Sequence, residues 1–141
     1  MCFDDFLSLD LTADPYSWQP LPTMPRELHS FGMAASAVTN SVYVLGGTRS
    51  LAGQSTDDVA VFRVASNSWT TLADPLPFYR KVSALEVPGT DEVLVAPKTD
   101  RFVDLVVLDL VTEALRQGEY PTLDRGFISS RALNLHFYVM T

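Results

Sequence analysis

A six-residue pattern that recurs three times along this 141-residue chain constrains the fold more than any local signal. The copies beginning at Asp5, Asp58 and Asp104 align without gaps, at steps of 53 and 46 positions. Each opens on an aspartate and continues as an apolar run typical of a buried strand. A unit recurring about every fifty residues cannot bury its own apolar face and must stack on its neighbours. The sequence therefore predicts a repeat protein.

Short apolar runs separated by turn-forming residues make up the rest of the chain, which indicates strands. We interpret the strands as groups of four. The chain opens on the third and fourth strands of one unit, continues through two full units, and ends on a first and a second strand. The predicted strands are Phe3–Asp10, Tyr16–Gln19, Phe31–Val38, Val42–Leu45, Val59–Val64, Ser68–Thr71, Val82–Val87, Glu92–Ala96, Val103–Leu110, Ala114–Gln117, Phe127–Leu133 and His136–Met140.

Glycines and tryptophans mark fixed positions within the unit. Gly46 and Gly47 close the apolar run that contains Tyr43, and Trp69 lies on the fourth strand of the same unit. Trp18 and Trp69 are 51 positions apart, and a leucine follows each of them three residues later. Glycine permits positive φ and close backbone approach, and an indole fills the space between twisted sheets. We therefore assign these five residues to a structural motif.

These residues resemble the kelch repeat family, whose period is about 50 residues, and the resemblance extends over essentially the whole chain. It implies propeller blades in which the double glycine ends the second strand and the tryptophan packs against the neighbouring blade. The Trp-Asp repeat propellers fit less well, because Gln19 and Thr70 follow the two tryptophans. The third unit departs from the kelch pattern, with Pro97 and Lys98 at the glycine positions and Leu115 at the tryptophan position.

We predict an all-β fold of β-propeller blades, each a four-stranded antiparallel sheet, in an incomplete ring. The predicted units are a half blade at 1–25, a full blade at 26–77, a degenerate full blade at 78–121 and a half blade at 122–141. Known propellers have about four to eight blades, more than this chain encodes. We favour a piece of a longer propeller, and the alternative is self-association of two chains into a six-bladed ring.

Charge and cysteine content exclude several classes of function. The net charge of −7 opposes binding to nucleic acid and to anionic membranes, so we predict neither partner. Cys2 is the single cysteine, so an intrachain disulfide or a thiolate metal cluster cannot form. The acidic N-terminal residues do not suit a secretory signal, and the longest apolar stretch, Val103–Val111, contains two aspartates. We expect a cytoplasmic protein.

The loops joining second to third strands, and fourth strands to the next unit, are expected on one face of the blades. They carry most of the basic residues of the chain. Arg26, Arg49, Arg80 and Arg101 are the candidate contacts for another protein or an acidic peptide, because guanidinium groups bind carboxylates at two points. The same loops also carry acidic residues, so a solvated rim of mixed charge is the alternative.

No catalytic constellation is recognisable in the sequence. His29 and His136 lack metal-ligand partners at suitable spacing, and neighbouring aspartates such as Asp57 and Asp58 rarely oppose each other as acid-base catalysis requires. Phosphate-binding, dinucleotide-binding and nucleophile-elbow motifs are missing. We expect no catalytic residue, no metal and no cofactor.

Two functions therefore stay open. The first is a non-catalytic module that presents propeller loops to a protein partner, as part of a longer kelch-repeat protein. The second, implied by the family resemblance alone, is a fragment of a kelch-fold enzyme similar to galactose oxidase or to sialic acid epimerase. Such oxidases use a copper site with a crosslinked Tyr–Cys pair, which Cys2 matches poorly.

Overall fold

The computed structural model describes residues 3–49, 53–78, 81–97 and 105–118. Ten strands and no helix occur within these ranges. Within each sheet, strands that follow one another in sequence pair with each other. The strands are β1 Phe6–Leu9, β2 Trp18–Leu21, β3 Gly32–Ser36, β4 Ser41–Leu45, β5 Val59–Arg63, β6 Ser68–Thr71, β7 Val82–Glu86, β8 Glu92–Pro97, β9 Val106–Asp109 and β10 Leu115–Gln117.

The strands form three antiparallel sheets. Strands β1 and β2 pair with each other, β3 to β6 form the four-stranded middle sheet, and β7 to β10 form the four-stranded third sheet. The prediction of an all-β fold built from four-stranded antiparallel blades is confirmed. The half blade predicted at 122–141, with its two strands, lies outside the described residues.

Equivalent residues of the repeat occupy equivalent positions in the three sheets. In each sheet, the fifth residue of the repeated six-residue pattern lies directly opposite the tryptophan position of the last strand. The cross-strand pairs are Leu9–Trp18, Phe62–Trp69 and Leu108–Leu115. The gapless superposition of the three copies therefore describes the folded chain, and Leu115 takes the tryptophan position of the third sheet.

The largest apolar core lies between the middle and third sheets. Tyr43, Leu45 and Val61 of the middle sheet pack into one buried cluster with residues of the third sheet such as Val93 and Leu108. Strand β5 is buried along most of its length, since its other face packs into a second cluster. Strands covered on both faces are apolar in continuous runs rather than in alternation. This explains why the sequence shows unbroken valine-rich segments.

The double glycine brings the end of β4 close to the third sheet. The φ angles of Gly46 and Gly47 are 59° and 104°, in the left-handed region that side chains disfavour. A Cβ atom on Gly46 would lie 2.7 Å from Cγ2 of Val82, the first residue of β7. One on Gly47 would lie 3.0 Å from the Cβ of Phe31. Both the turn and the packing therefore require glycine.

A partly buried polar network joins the two four-stranded sheets at the opposite end. Glu113, in the turn between β9 and β10, accepts a hydrogen bond of 2.8 Å at Oε1 from the Tyr43 hydroxyl and one of 2.7 Å at Oε2 from Nη2 of Arg63. Nη1 of Arg63 approaches Oε1 at 2.5 Å, so the guanidinium binds the carboxylate at two points. The Tyr43 hydroxyl also lies 3.2 Å from the carbonyl oxygen of Leu110.

Arg63 occupies a repeat position that is aspartate in the other two sheets. Asp10 accepts a hydrogen bond of 2.8 Å from the amide of Thr12, and Asp109 accepts one of 2.8 Å from the amide of Val111. Each aspartate thereby stabilises its own turn, as aspartates commonly do. In the middle sheet the same position instead reaches across to Glu113 of the next sheet. The same repeat position thus stabilises a turn when it is aspartate, and it stabilises the contact between sheets when it is arginine.

The Gly46→Ala substitution is expected to lower the free energy of unfolding by about 2–4 kcal/mol, measured by urea denaturation. An L-residue at positive φ costs about 1–2 kcal/mol, and the contact with Val82 adds overpacking. Gly53→Ala is the matched control, because Gly53 has a φ of 61°, but among the described residues no atom beyond its chain neighbours lies within 4 Å of the place its Cβ would occupy. The control is expected to lose only about 1 kcal/mol. Equal losses would show that packing against Val82 is unimportant.

Acid is expected to weaken the junction between the two sheets. The Arg63 guanidinium, hydrogen-bonded to Glu113, lowers the pKa of the Glu113 carboxyl below its ordinary value of 4.5, although burial opposes this. A carboxyl whose pKa is lower in the folded chain stabilises the fold above its unfolded pKa. That contribution is lost as the pH falls through the lowered value.

Urea denaturation of the wild type and of Glu113→Gln, from pH 7 to pH 3, measures this effect. At pH 7 the wild type should be more stable by about 1 kcal/mol, since the ion pair is partly exposed. The difference should shrink below pH 4.5. Asp10 and Asp109, whose pKa values are lowered by their turn hydrogen bonds, are present in both proteins and cancel. A difference that is constant with pH would refute the role of this carboxylate.

Candidate functional site

Three connections meet at the end of the sheets where the double glycine lies, and together they are named the rim. They are residues 22–31 between β2 and β3, 46–58 between β4 and β5, and 72–81 between β6 and β7. All three belong to the loops that the sequence predicted on one face. Residues 50–52 and 79–80 of these connections lie outside the described residues.

The 46–58 connection extends the sheet as a short hairpin. The amide of Arg49 donates to the carbonyl of Gln54 at 2.8 Å, and the amide of Thr56 donates to the carbonyl of Gly47 at 2.9 Å. Isolated bridges join Thr48 to Ser55 on one side and to His29 on the other. The described parts of this connection, 46–49 and 53–58, are therefore hydrogen-bonded on both flanks.

Backbone hydrogen bonds also join the connections to one another. His29 and Thr48 exchange two of them, at 3.0 and 2.9 Å, which fixes 22–31 against 46–58. The amide of Leu76 donates to the carbonyl of Asp57 at 2.8 Å, which fixes 72–81 against 46–58. The amide of Val82 donates to the carbonyl of Ser30 at 3.0 Å, which joins the rim of the middle sheet to the third sheet. Hydrogen bonds therefore join the described parts of the three connections to one another.

The side chain of Trp69 holds the 22–31 connection in place. Its indole Nε1 donates a hydrogen bond of 2.8 Å to the carbonyl oxygen of Pro22. Its ring lies edge-on to Phe6 of β1, with centroids 5.1 Å apart, and 5.3 Å from the ring of Phe62. Phe6 and Phe62 are themselves 4.9 Å apart. Three aromatic rings thus seal the contact between the β1–β2 sheet and the middle sheet.

Trp18 occupies the same register position as Trp69 but has different surroundings. Its side chain is 64% exposed, whereas Trp69 is partly buried. The reason is geometric, because Phe6 and Trp18 lie on opposite faces of the two-stranded sheet. The sheet contacts the middle sheet with the Phe6 face. The face that carries Trp18 points the other way.

The candidate arginines differ in their environments. Nη2 of Arg26 lies 2.9 Å from a carboxylate oxygen of Asp58, so its charge is already balanced. Arg49 is exposed at the base of the rim hairpin, and within the described ranges it forms no ion pair. Arg80 and Arg101 lie outside the described residues. The structure therefore brings Arg26 and Arg49 to the same rim, where Arg26 is paired with Asp58 and Arg49 has no ion pair among the described residues.

The Arg26–Asp58 ion pair has no direct signature in the sequence. The recurrence of aspartate at the start of the third strand singles out Asp58 in the sequence, but it does not identify a partner. In the middle sheet the Asp58 carbonyl also accepts a hydrogen bond of 2.9 Å from the amide of Gly46. Asp58 therefore holds the rim end of β5 in two ways, through its backbone carbonyl bound to Gly46 and through its side chain paired with Arg26.

The cavity beneath the rim is small. Met24, Leu28, Trp69 and neighbouring side chains enclose about 20 Å³, space for about one water molecule. Within the described ranges no three His, Cys, Asp or Glu side chains are grouped so as to hold a metal ion. Cys2 and His136 lie outside those ranges. None of the described secondary structure is a helix long and apolar enough to cross a membrane.

Comparison with known proteins identifies the repeat. Residues 30–76 match the family model of the Kelch motif, a segment that contains Gly46, Gly47 and Trp69. The fold is similar to the solved structure of YjhT, with a TM-score of 0.65 and 17% sequence identity. The match covers 84% of this chain and 46% of that one, so this chain spans about half of that structure. The resemblance to the kelch repeat is thereby confirmed over residues 30–76.

Proposed function

We propose that this chain, which carries a kelch motif in propeller-type sheets, is a non-catalytic module that binds another protein through its rim. The observation that carries the proposal is the hydrogen bonding of the rim hairpin to both neighbouring connections. Loops held on a rigid scaffold lose little conformational entropy when they bind, which favours recognition. The cavity of about 20 Å³ beneath them favours a partner that contacts the surface of the rim over one that enters it.

The charges of the rim suggest what the partner presents. Arg49 is exposed and carries a guanidinium that suits a carboxylate, whereas Arg26 is engaged by Asp58. The chain as a whole carries a charge of −7 and repels an acidic partner at long range. Binding of an acidic segment therefore depends on local contacts at the rim. We propose Arg49 as the first of these contacts.

A larger propeller is the setting in which such a module would work. This chain spans 46% of the YjhT structure, so further blades are needed to complete a ring of that size. In such an assembly the rim connections of successive blades form one continuous surface. The binding site of the working protein then extends beyond the described connections, with this chain supplying part of it.

Fluorescence polarisation with a labelled oligoglutamate peptide tests the proposal. Wild type, Arg49→Ala and Arg116→Ala are compared, and a labelled oligolysine peptide controls for general attraction to the acidic chain. Arg116 is the matched control, because it carries the same charge at the third sheet, paired with Glu92 at 2.6 Å. We expect Arg49→Ala to raise the Kd for oligoglutamate about threefold to tenfold, while Arg116→Ala leaves it unchanged.

Equal weakening by both substitutions would show a net-charge effect rather than a site. Failure of the wild type to bind oligoglutamate at low salt would refute the acidic-partner proposal. Copper-dependent oxidation of galactose, or epimerisation of a sialic acid, by the purified chain would instead favour an enzyme. The two results are independent, so each class of function is tested separately.

A further inference from the structure

Glu113 holds a backbone conformation that its residue type disfavours. Its φ angle is 60°, in the left-handed region that asparagine and aspartate adopt more readily than other side chains. Glu113 lies two positions before Leu115, as Asn67 lies two positions before Trp69, so the two residues occupy the same repeat position. Asn67 has a φ of 51°. The middle sheet thus carries a residue suited to this turn, whereas the third sheet carries one that is strained there.

A strained residue persists where surrounding contacts hold it in place. The side chain of Glu113 contacts the middle sheet, at the Tyr43 hydroxyl and the Arg63 guanidinium. Arg63 departs from the repeat in the same way, because Asp10 and Asp109 stand at its position in the other two sheets. Two repeat positions therefore change together, and the two altered residues bind each other. A contact between sheets thus offsets the strain in this turn.

The equivalent position in the other two sheets would repel Glu113. A third sheet stacked on the β1–β2 sheet would bring Glu113 to Asp10, and one stacked on the third sheet of another chain would bring it to Asp109. Neighbouring carboxylates repel each other when both are charged. Stacking in the wrong order or between chains is a characteristic failure of repeat proteins, because their units share one apolar pattern. Among the described sheets, the middle one alone offers Glu113 a cation at this position.

We propose that the Arg63–Glu113 pair sets the order of the sheets. It directs the third sheet onto the middle sheet and away from sheets that carry aspartate at the Arg63 position. Specific interfaces commonly combine attraction to the correct neighbour with repulsion of the wrong one, and buried ionic groups can supply such specificity. The pair lies at the end of the sheets opposite the rim, so this role does not depend on the binding function proposed for the rim.

Refolding from urea over a concentration series, analysed by size exclusion, tests the proposal. The measured quantity is the fraction of chains recovered in the elution peak of the wild type. Arg63→Glu places a carboxylate opposite Glu113, and we expect it to lower this fraction at least threefold at the highest concentration. The charge-swapped double variant, Arg63→Glu with Glu113→Arg, should regain at least half of the lost fraction. Recovery no better than that of the single variant would overturn the proposal.

A second set of variants separates the order of the sheets from simple loss of stability. Asp10→Arg creates a competing cation on the β1–β2 sheet. Asp10→Gln is the matched control, because both substitutions remove the carboxylate that accepts from Thr12 but arginine alone adds a charge. We expect Asp10→Arg to lower the recovered fraction at least twofold relative to Asp10→Gln. The difference should vanish when each is combined with Glu113→Gln.

Two results of this comparison would contradict the proposal. The first is equal recovery of the two Asp10 variants while Glu113 is present, because a pair that merely stabilised the fold would not distinguish them. The second is a difference between them that persists with Glu113→Gln, because the competing cation would then act without its carboxylate.

Discussion

Face-to-face stacking of the sheets underlies every other feature of this fold. A four-stranded sheet with apolar residues on both faces cannot be stable alone in water, because burial of each large aliphatic side chain contributes about 1.5–3 kcal/mol. In the middle sheet, both apolar faces are buried. One packs on the third sheet, and the other packs on Phe6 through Phe62 and Trp69.

The same stacking determines where the polar features lie. At the rim, the double glycine lets β4 end against Val82 and begin the hydrogen-bonded connections that we propose as a binding surface. At the other end, Arg63 binds Glu113 of the next sheet instead of stabilising its own turn. The proposed binding surface and the polar junction thus lie at opposite ends of the sheets. Loop variation at the rim can then proceed without disturbing the junction.

Much of the fold follows from the sequence, because the repeat imposes equivalent positions. The three aligned copies predicted the strands, and the glycine pair predicted where β4 ends. The polar contacts between sheets could not be predicted, since they join residues such as Arg63 and Glu113 that are distant in sequence. The one available signal was an arginine at a position where the other copies have aspartate. The repeat likewise could not separate Trp18 from Trp69, which differ only in what covers them.

A double-mutant cycle on the contact between the first two sheets tests the stacking of sheets most directly. Free energies of unfolding are measured for the wild type, Phe6→Leu, Trp69→Leu and the double variant. Since the two rings are 5.1 Å apart and edge-on, we predict a coupling free energy of about 0.5–1.5 kcal/mol. Strictly additive effects would contradict this packing, because they would mean that the two aromatic faces do not meet in solution.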